Sequence, residues 1–285
     1  MDGNGSSQRL GLVLGAGGEA GVAFHRGVLR ALDDLGLRPA NAEVVVGTSA
    51  GAAVGAGLRK DAAGPVTAPP GRVPLSPRAE LLDLARRPRQ AVNALLLRPD
   101  VRLGDLDLAE MVGHYRAVYG SSWPDAALWV VAVRRSDGRR VAFGRPGAPR
   151  ADVAAAVAAS CAVPGYVSPV RIDGTAYVDG GLHSPTNADL LAGHPLDLVV
   201  VSSPMSADPR TTGPRLDLPV RWRFHRFLRN ELWTLRGSAG RVVIIEPDRP
   251  TLGAMGWAML RNSRSAEIEK HAHAHTLRRL RAAKP

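Results

Sequence analysis

A serine between two glycines is the first residue of this sequence that could act as a nucleophile. Residues 47–51 read Gly-Thr-Ser-Ala-Gly, a G-x-S-x-G pattern centred on Ser49. In such a pattern Gly47 and Gly51 permit a sharp turn from a strand into a helix, so that the serine hydroxyl projects above the sheet. At the start of a helix, developing negative charge is also favoured. The pattern predicts a nucleophile, with an ordinary tight turn as the alternative.

A glycine-rich segment precedes the first predicted helix. Residues 15–21 read Gly-Ala-Gly-Gly-Glu-Ala-Gly, with Ala20 where a G-x-G-x-x-G motif has its third glycine, and no Gly-Lys-Ser/Thr sequence follows. A nucleotide-binding loop is therefore disfavoured. The backbone N–H groups of Gly17 and Gly18 could instead bind an oxyanion, supported by Gly15, Ala16 and Gly21. Close packing of strand on helix is the alternative.

A carboxylate follows a third apolar strand. Asp179-Gly180-Gly181 comes directly after Ala176-Tyr177-Val178. Asp-Gly is also an ordinary turn dipeptide, but α/β sheets collect functional residues at strand ends. Asp179 is therefore a candidate functional residue, with an ordinary turn as the alternative.

Taken together, these motifs resemble the patatin-like phospholipase family. The resemblance covers residues 9 to about 190: the glycine loop with Gly27-Val28-Leu29, the Ser49 motif, residues 159–164 with Tyr166 and Pro169, and the Asp-Gly-Gly sequence. It implies a three-layer α/β/α sandwich with a mainly parallel central sheet. It also implies hydrolysis of lipid acyl esters through an acyl-Ser49 intermediate, with a Ser49–Asp179 dyad and no cofactor, calcium or other metal.

One position departs from the family pattern. The family's glycine loop commonly has Arg or Lys before its last glycine, where this chain has Glu19-Ala20-Gly21. Backbone donors remain, but a cation near the oxyanion or a lipid phosphate is missing. The resemblance therefore supports activity on acyl esters generally better than activity on phospholipids.

Hydrophobic patterning predicts the elements that hold these residues. Residues 9–14 and 43–46 read as strands, each followed by a glycine turn and a helix, over 21–35 and 52–58. Asp-Gly turns at 137–138 and 173–174 predict hairpins, and 198–202 and 241–245 read as buried strands. This alternation favours a layered α/β sheet. We expect residues 1–8 to be a flexible N-terminus and 9–285 to be one domain, with 61–125 as a linker and helical lid insertion.

Two other functions stay open. An α/β-hydrolase triad would need a histidine after Asp179, and His183, His194 and His225 are available, but Ser49 follows only the second predicted strand. A catalytically weak or silent lipid-binding protein would keep the fold without the reaction. His25 lies within the first helix, where a packing role is favoured over catalysis.

The charge of the chain indicates an anionic partner or a compositional bias. The net charge is +11, and only three of the 37 basic residues are lysines, as coding in a GC-rich genome would produce. The segment 221–233 interleaves arginines with aromatic and aliphatic residues. It could lie on an anionic bilayer through Trp222, Leu228, Leu232 and Trp233, or pack as a surface helix whose arginines reach water. We expect a lipid or acyl-ester substrate and no nucleic acid.

The remaining signals concern location and metals. The first residues do not resemble a signal peptide, and no apolar run approaches the ~18 residues of a membrane span, so we expect a cytoplasmic protein, peripheral at most. Cys161 is the only cysteine, which excludes an internal disulfide and favours a small core residue. His271, His273 and His275 alternate on a predicted helix, where only His271 and His275 share a face, so we expect a solvated face and no metal.

Overall fold

A computed structural model of the chain describes residues 8–60, 108–164, 166–235, 237–256 and 264–282. The predicted flexible N-terminus lies almost entirely outside these ranges, and so does the greater part of the predicted insertion at 61–125.

The first sixty residues form two strand-turn-helix units, as the sequence predicts. Strand β1 spans Leu10–Leu14 and helix α1 spans Gly18–Asp34, while β2 spans Val44–Thr48 and α2 spans Ala50–Lys60. Both strands are buried along their whole length, which suits their run of apolar, mostly branched residues.

The rest of the described chain adds six strands and six helices. In chain order they are α3 Leu108–Tyr119, β3 Ala127–Arg134, β4 Arg140–Phe143, α4 Val153–Ser160, β5 Val170–Ile172, β6 Thr175–Asp179, β7 Leu196–Ser202, α5 Pro209–Thr212, α6 Leu218–Leu235, β8 Ala239–Ile245, α7 Arg249–Met255 and α8 Ser265–Ala282. Short 3₁₀ turns span Pro39–Asn41, Gly180–Leu182 and Ala188–Leu191. Both predicted hairpins are present.

All eight strands belong to one sheet with a parallel centre. The strand order is β5-β6-β3-β2-β1-β7-β8, and β4 pairs with β3 outside this path. The strands β3, β2, β1, β7 and β8 run parallel, whereas β6 is antiparallel to β3. The carboxyl ends of β1, β2 and β7 therefore lie at one edge of the sheet. The last residue of the antiparallel strand β6, Asp179, lies at the same edge, where it pairs with β3.

Alternating side chains of the central strands bury two faces. Leu12, Leu14 and Val45 join the core that contains residues of α1, α2, α3, α4 and α8, whereas Val13 and Val46 join a second core that contains residues of α6. The sheet thus lies between two helical layers. The predicted α/β/α architecture with a mainly parallel sheet is confirmed.

Helix α3 lies within the segment that the sequence assigns to an exposed insertion. Its residues Met111, Tyr115 and Tyr119 are buried in the larger core, so this part of the segment supports the fold rather than standing away from it. The preceding residues 61–107 lie outside the described ranges, and the lid remains a prediction.

Candidate active site

Ser49 occupies a strained turn between β2 and α2. Its φ angle is 53°, in the left-handed region that residues other than glycine rarely adopt. Ser160 connects this turn to β3, because the Ser49 N–H donates to Ser160 Oγ at 2.8 Å and the Ser160 hydroxyl donates to the Val131 carbonyl at 2.6 Å. The strain and its support fix the direction in which the Ser49 side chain leaves the backbone.

The two flanking glycines are required by close contacts. A side chain at Gly47 would lie 2.6 Å from Ala52 Cα, and one at Gly51 would overlap the Leu14 carbonyl. The Gly51 N–H donates to the Gly15 carbonyl at 3.2 Å. The absence of side chains therefore lets the serine turn sit directly against the glycine loop.

Asp179 ends β6, which is separated from β2 by the single strand β3. Its carboxylate accepts a hydrogen bond from the Gly181 N–H at 2.7 Å, and its own N–H donates to the Ala162 carbonyl at 2.9 Å. Ser49 is 8% exposed and Asp179 is 5% exposed. Burial raises the pKa of Asp179 to about 6, although the nearby Ser49 hydroxyl and the Gly181 N–H act in the opposite direction.

The glycine loop connects β1 to α1 beside this pair. The N–H groups of Gly15 and Ala16 donate to the Ser202 and Pro185 carbonyls at 3.0 and 2.8 Å. The N–H groups of Gly17 and Gly18 donate no hydrogen bond to another of the described residues. Gly17 is the residue before α1, and Gly18 has a φ of 58°. These two donors at a helix start suit an oxyanion.

A buried histidine fixes the glycine loop from inside the protein. His25 on α1 is fully buried, with Nε2 at 2.7 Å from the Gly15 carbonyl and Nδ1 at 2.7 Å from the Ser202 hydroxyl. Burial lowers its pKa to about 4, so the ring is neutral near pH 7. A neutral ring that donates from Nε2 and accepts at Nδ1 satisfies both contacts. His25 thus holds the loop in place, away from Ser49.

An asparagine supports the serine turn from the other side. The Asn187 Nδ2 donates to Thr48 Oγ1 at 3.1 Å and to the Ser184 carbonyl at 2.6 Å. Asn187 has a φ of 55°, which asparagine tolerates better than most residues. The adjacent Glu231 carboxylate accepts from Thr186 Oγ1 at 2.6 Å and from the Ala188 N–H at 2.9 Å. Helix α6 therefore anchors the loop that contacts both the serine turn and the glycine loop.

Cys161 lies at the serine rather than in the remote core. It follows α4, and the nearby hydroxyls of Tyr115 and Ser49 act to lower the pKa of its thiol. Burial and the nearby Asp179 carboxylate raise the pKa of the thiol to about 12, so it stays protonated. A protonated thiol is a weak nucleophile. The prediction of a small, unreactive side chain fits this state, but the position beside Ser49 was not anticipated.

The other histidines have partners of their own. His225 Nδ1 lies 2.9 Å from the Glu246 carboxylate, and the His194 ring packs edge-on against Trp129 with ring centroids 5.0 Å apart. His183 ends the 3₁₀ turn after Asp179. Among the described groups that shift the pKa of Asp179, none is a histidine. On α8, His271, His273 and His275 pair with Glu267, Asp34 and Asp248.

The structure thus brings together the residues that three separate motifs predict. Ser49, Asp179, Gly17 and Gly18 converge at the carboxyl edge of the parallel strands, although 130 residues separate the serine from the carboxylate. A hydroxyl that lies near a buried carboxylate and beside two backbone donors can attack a carbonyl carbon. In the part of the chain that the structure describes, no three His, Cys, Asp or Glu residues gather as metal ligands would.

Comparisons with known proteins agree with the family resemblance of the sequence motifs. Residues 75–192 match a family model described as Patatin-like phospholipase, a range that includes Asp179 but not Ser49. Uncharacterized NTE family proteins of Mycobacterium tuberculosis and Mycobacterium bovis are 30% identical to this chain over an alignment of 230 residues, and the match covers 76% of this chain and 57% of each relative. The chain thus spans little more than half of their length.

Two solved structures align over nearly the whole chain at low similarity. VipD from Legionella pneumophila is 15% identical with a TM-score of 0.44, covering 96% of this chain and 67% of that one. The type III effector protein ExoU is 17% identical with a TM-score of 0.35, covering 96% of this chain and 53% of that one. The fold assignment rests on the strand order described above and not on these alignments.

Proposed function

Because this chain is a patatin-like protein, we propose that it is a serine hydrolase that cleaves carboxylic ester bonds of lipids or related acyl esters. The observation that supports this most directly is the placement of the Ser49 hydroxyl beside the buried Asp179 carboxylate, whose pKa it lowers. We propose no cofactor or calcium for the reaction, because the serine, the carboxylate and the backbone donors supply every required role.

The proposed reaction proceeds through an acyl-enzyme. Ser49 Oγ attacks the ester carbonyl carbon while Asp179 accepts the hydroxyl proton, and the carbonyl oxygen becomes an oxyanion near the Gly17 and Gly18 N–H groups. Collapse of the tetrahedral intermediate breaks the ester C–O bond, and the proton on Asp179 passes to the departing alcohol. Water then attacks the acyl-Ser49 ester, with Asp179 accepting its proton. Collapse of the second tetrahedral intermediate breaks the bond between the acyl carbon and Ser49 Oγ, the proton on Asp179 passes to Ser49 Oγ, and the carboxylic acid leaves.

Asp179 is suited to this role by its surroundings. A carboxylate of ordinary pKa is a weak base, whereas burial raises the pKa of Asp179 to about 6 and increases its proton affinity. The Gly181 N–H limits the increase, so that the carboxylate stays ionised at neutral pH. No imidazole is needed between the serine and the carboxylate.

The pH dependence of turnover tests this assignment. Since the reaction needs ionised Asp179, kcat/KM for a soluble acyl ester should rise with pH, reach half its limit near pH 6, and level off above it. The measurement is the initial rate between about pH 4.5 and 8.5, with circular dichroism at each pH to show that the protein stays folded. A rate that is constant across pH 6 in the folded protein would contradict the proposal that Asp179 is the base.

The substrate class follows from the start of α1. Ala20, at the position where the family commonly has a basic residue, is fully buried, so no cation reaches the oxyanion loop from it. We therefore propose a substrate preference that rests on the acyl ester rather than on a phosphate contact at this position. The catalytically silent lipid-binding protein is the remaining alternative, and the intact Ser49–Asp179 contact weighs against it.

A substitution at His25 tests the positioning of the oxyanion loop. His25→Phe keeps a ring in the cavity but removes the hydrogen bonds to Gly15 and Ser202. We expect kcat to fall by about 100-fold with little change in KM, since small displacements of catalytic groups have effects of this size. Ser202→Ala, which removes only the hydroxyl that contacts Nδ1 of the ring, should lower kcat by less. A kcat within about 2-fold of wild type would show that the Gly15 contact is not needed for turnover.

The proposed lipid substrate also bears on where the protein acts. Among the described residues, no helix has the length and the hydrophobicity that a membrane crossing requires. We propose that the protein works in the cytoplasm and reaches lipid at a membrane surface.

A further inference from the structure

Helix α6 faces two environments. Its inner side packs Leu228 and Leu235 onto the sheet and buries Arg221, while Leu232 is partly buried against the same core. The grouping of Leu228 and Leu232 with the two tryptophans as a lipid-facing cluster is therefore wrong. The two leucines face the protein core, whereas Trp222 and Trp233 face solvent.

The outer side of α6 carries a regular stripe of cations and tryptophans. Trp222, Arg226, Arg229 and Trp233 follow the spacing i, i+4, i+7, i+11, which places them on one helix face. Trp222 is 46% exposed and Trp233 is 64% exposed. The Arg226 guanidinium lies 5.4 Å from the Trp222 ring centroid, and both arginines of the stripe are exposed. We call these four residues the Trp-Arg stripe.

The charge on this face has one sign. The only acidic residue of α6 is Glu231, and its carboxylate points inward to Thr186 and the Ala188 N–H. Leu216, just before the helix, is 79% exposed and adds apolar surface. Exposed tryptophans beside arginines suit the boundary between lipid headgroups and acyl chains, where an indole ring is partly buried and a guanidinium contacts anionic headgroups.

The helix is also tied to the active site. Arg221 pairs with Asp217 at 2.6 Å and donates to the Pro204 carbonyl at 2.8 Å. The Pro204 ring lies so close to Gly17 that a side chain at Gly17 would approach its Cγ to 2.7 Å. The Trp-Arg stripe therefore lies on the same rigid helix that supports the glycine loop and, through Glu231, the loop at the serine turn.

From these observations we propose that the Trp-Arg stripe of α6 docks the protein onto an anionic lipid surface. The cations attract the surface, and Trp222 and Trp233, about 16 Å apart along the helix, insert at its interface. That this surface also supplies the substrate rests on the proposed function, whereas the docking itself does not.

The test compares vesicle binding by matched variants in a Ser49→Ala background, so that no lipid is hydrolysed. The probes are phosphatidylcholine vesicles with and without phosphatidylserine, and binding is measured by co-sedimentation. Arg226→Ala/Arg229→Ala should weaken binding to the anionic vesicles about 10- to 30-fold. Trp222→Ala/Trp233→Ala should weaken it about 10-fold or more and abolish any blue shift of tryptophan emission.

The control removes the same charge from the opposite side of the molecule. Arg30→Ala/Arg281→Ala changes exposed arginines on α1 and α8, which pack on the other face of the sheet. This pair should bind within about 2-fold of the Ser49→Ala parent, and binding by that parent should fall steeply as salt rises to about 0.5 M. With Ser49 restored, turnover of a soluble ester by the stripe variants should equal that of wild type.

Four results would overturn the proposal. They are equal binding to neutral and anionic vesicles, an equal loss in the Arg30/Arg281 control, stripe-dependent binding to a nucleic acid in place of vesicles, and stripe-dependent self-association without lipid binding. Failure of the proposed function is distinguishable, because it would appear as absent turnover of soluble esters while vesicle binding remained.

Discussion

Ser49→Ala is expected to lower kcat/KM for a soluble acyl ester by about 10⁴-fold or more, leaving only the contributions of the oxyanion donors and substrate binding. Alanine has the same backbone requirement as serine at a φ of 53°, and the N–H that donates to Ser160 is kept. The substitution therefore removes one oxygen, the one beside the Asp179 carboxylate, without releasing the turn.

The measurement pairs turnover with covalent labelling. A fluorophosphonate probe should label wild type at Ser49, as peptide mapping would show, and should leave Ser49→Ala unlabelled. Ser121→Ala, at an exposed serine of the loop before β3, serves as the matched control and should keep both labelling and turnover. Normal turnover by Ser49→Ala, or labelling at a different serine, would show that the nucleophile lies elsewhere.

Asp179→Asn should be nearly as damaging as Ser49→Ala, because the two residues act as one unit. The amide keeps the shape of the side chain and an oxygen for the Gly181 N–H, which donates at 2.7 Å. It cannot accept the Ser49 proton. In a serine triad the ranking differs, since histidine is the general base there and the acid mainly orients it.

Single alanine substitutions at His183, His194 and His225 complete this comparison. We expect each to keep most of the activity, since His225 pairs with Glu246 and His194 packs on Trp129, and neither contact involves Ser49. The values of kcat/KM for one soluble ester are compared across all variants, with circular dichroism to confirm folding. Loss of activity in one histidine variant, together with substantial turnover by Asp179→Asn, would restore the α/β-hydrolase mechanism.

The sequence was sufficient for the fold class, and it predicted residues that the fold brings together. Glycines at 47 and 51 are required where backbone passes close to backbone, and such contacts leave a pattern that can be recognised in the sequence. The same holds for the Asp-Gly-Gly sequence, since a side chain at Gly180 would overlap the Val131 carbonyl. Turn residues and apolar strands predicted the positions of Ser49 and Asp179 at the ends of strands, and their roles were predicted from the family resemblance.

The supporting residues could not be found in this way. Ser160, His25 and Asn187 act through side-chain contacts with other parts of the fold. Ser160 contacts Ser49 and Val131, His25 contacts Gly15 and Ser202, and Asn187 contacts Thr48. No local pattern in the sequence distinguishes such residues from their neighbours. The orientation of α6 was missed for a related reason. Arg221 faces inward because its guanidinium donates to Asp217 and to the Pro204 carbonyl. A hydrophobicity pattern assigns a charged residue to the solvent side, so it places the faces of this helix wrongly.

The burial of Asp179 and His25 also links proton binding to the free energy of folding. The pKa of Asp179 is raised from 3.8 to about 6, so its stabilising contribution is fully present in acid and is lost as the pH rises through about 6. The pKa of His25 is lowered from 6.5 to about 4, so its contribution is present above pH 6.5 and is lost as the pH falls through about 4. Over the same interval the two residues change stability in opposite directions. Mild acid therefore stops the reaction by adding one proton to Asp179. The opposite contributions of Asp179 and His25 to the free energy of unfolding offset each other over the same pH range, so this pair does not favour unfolding there.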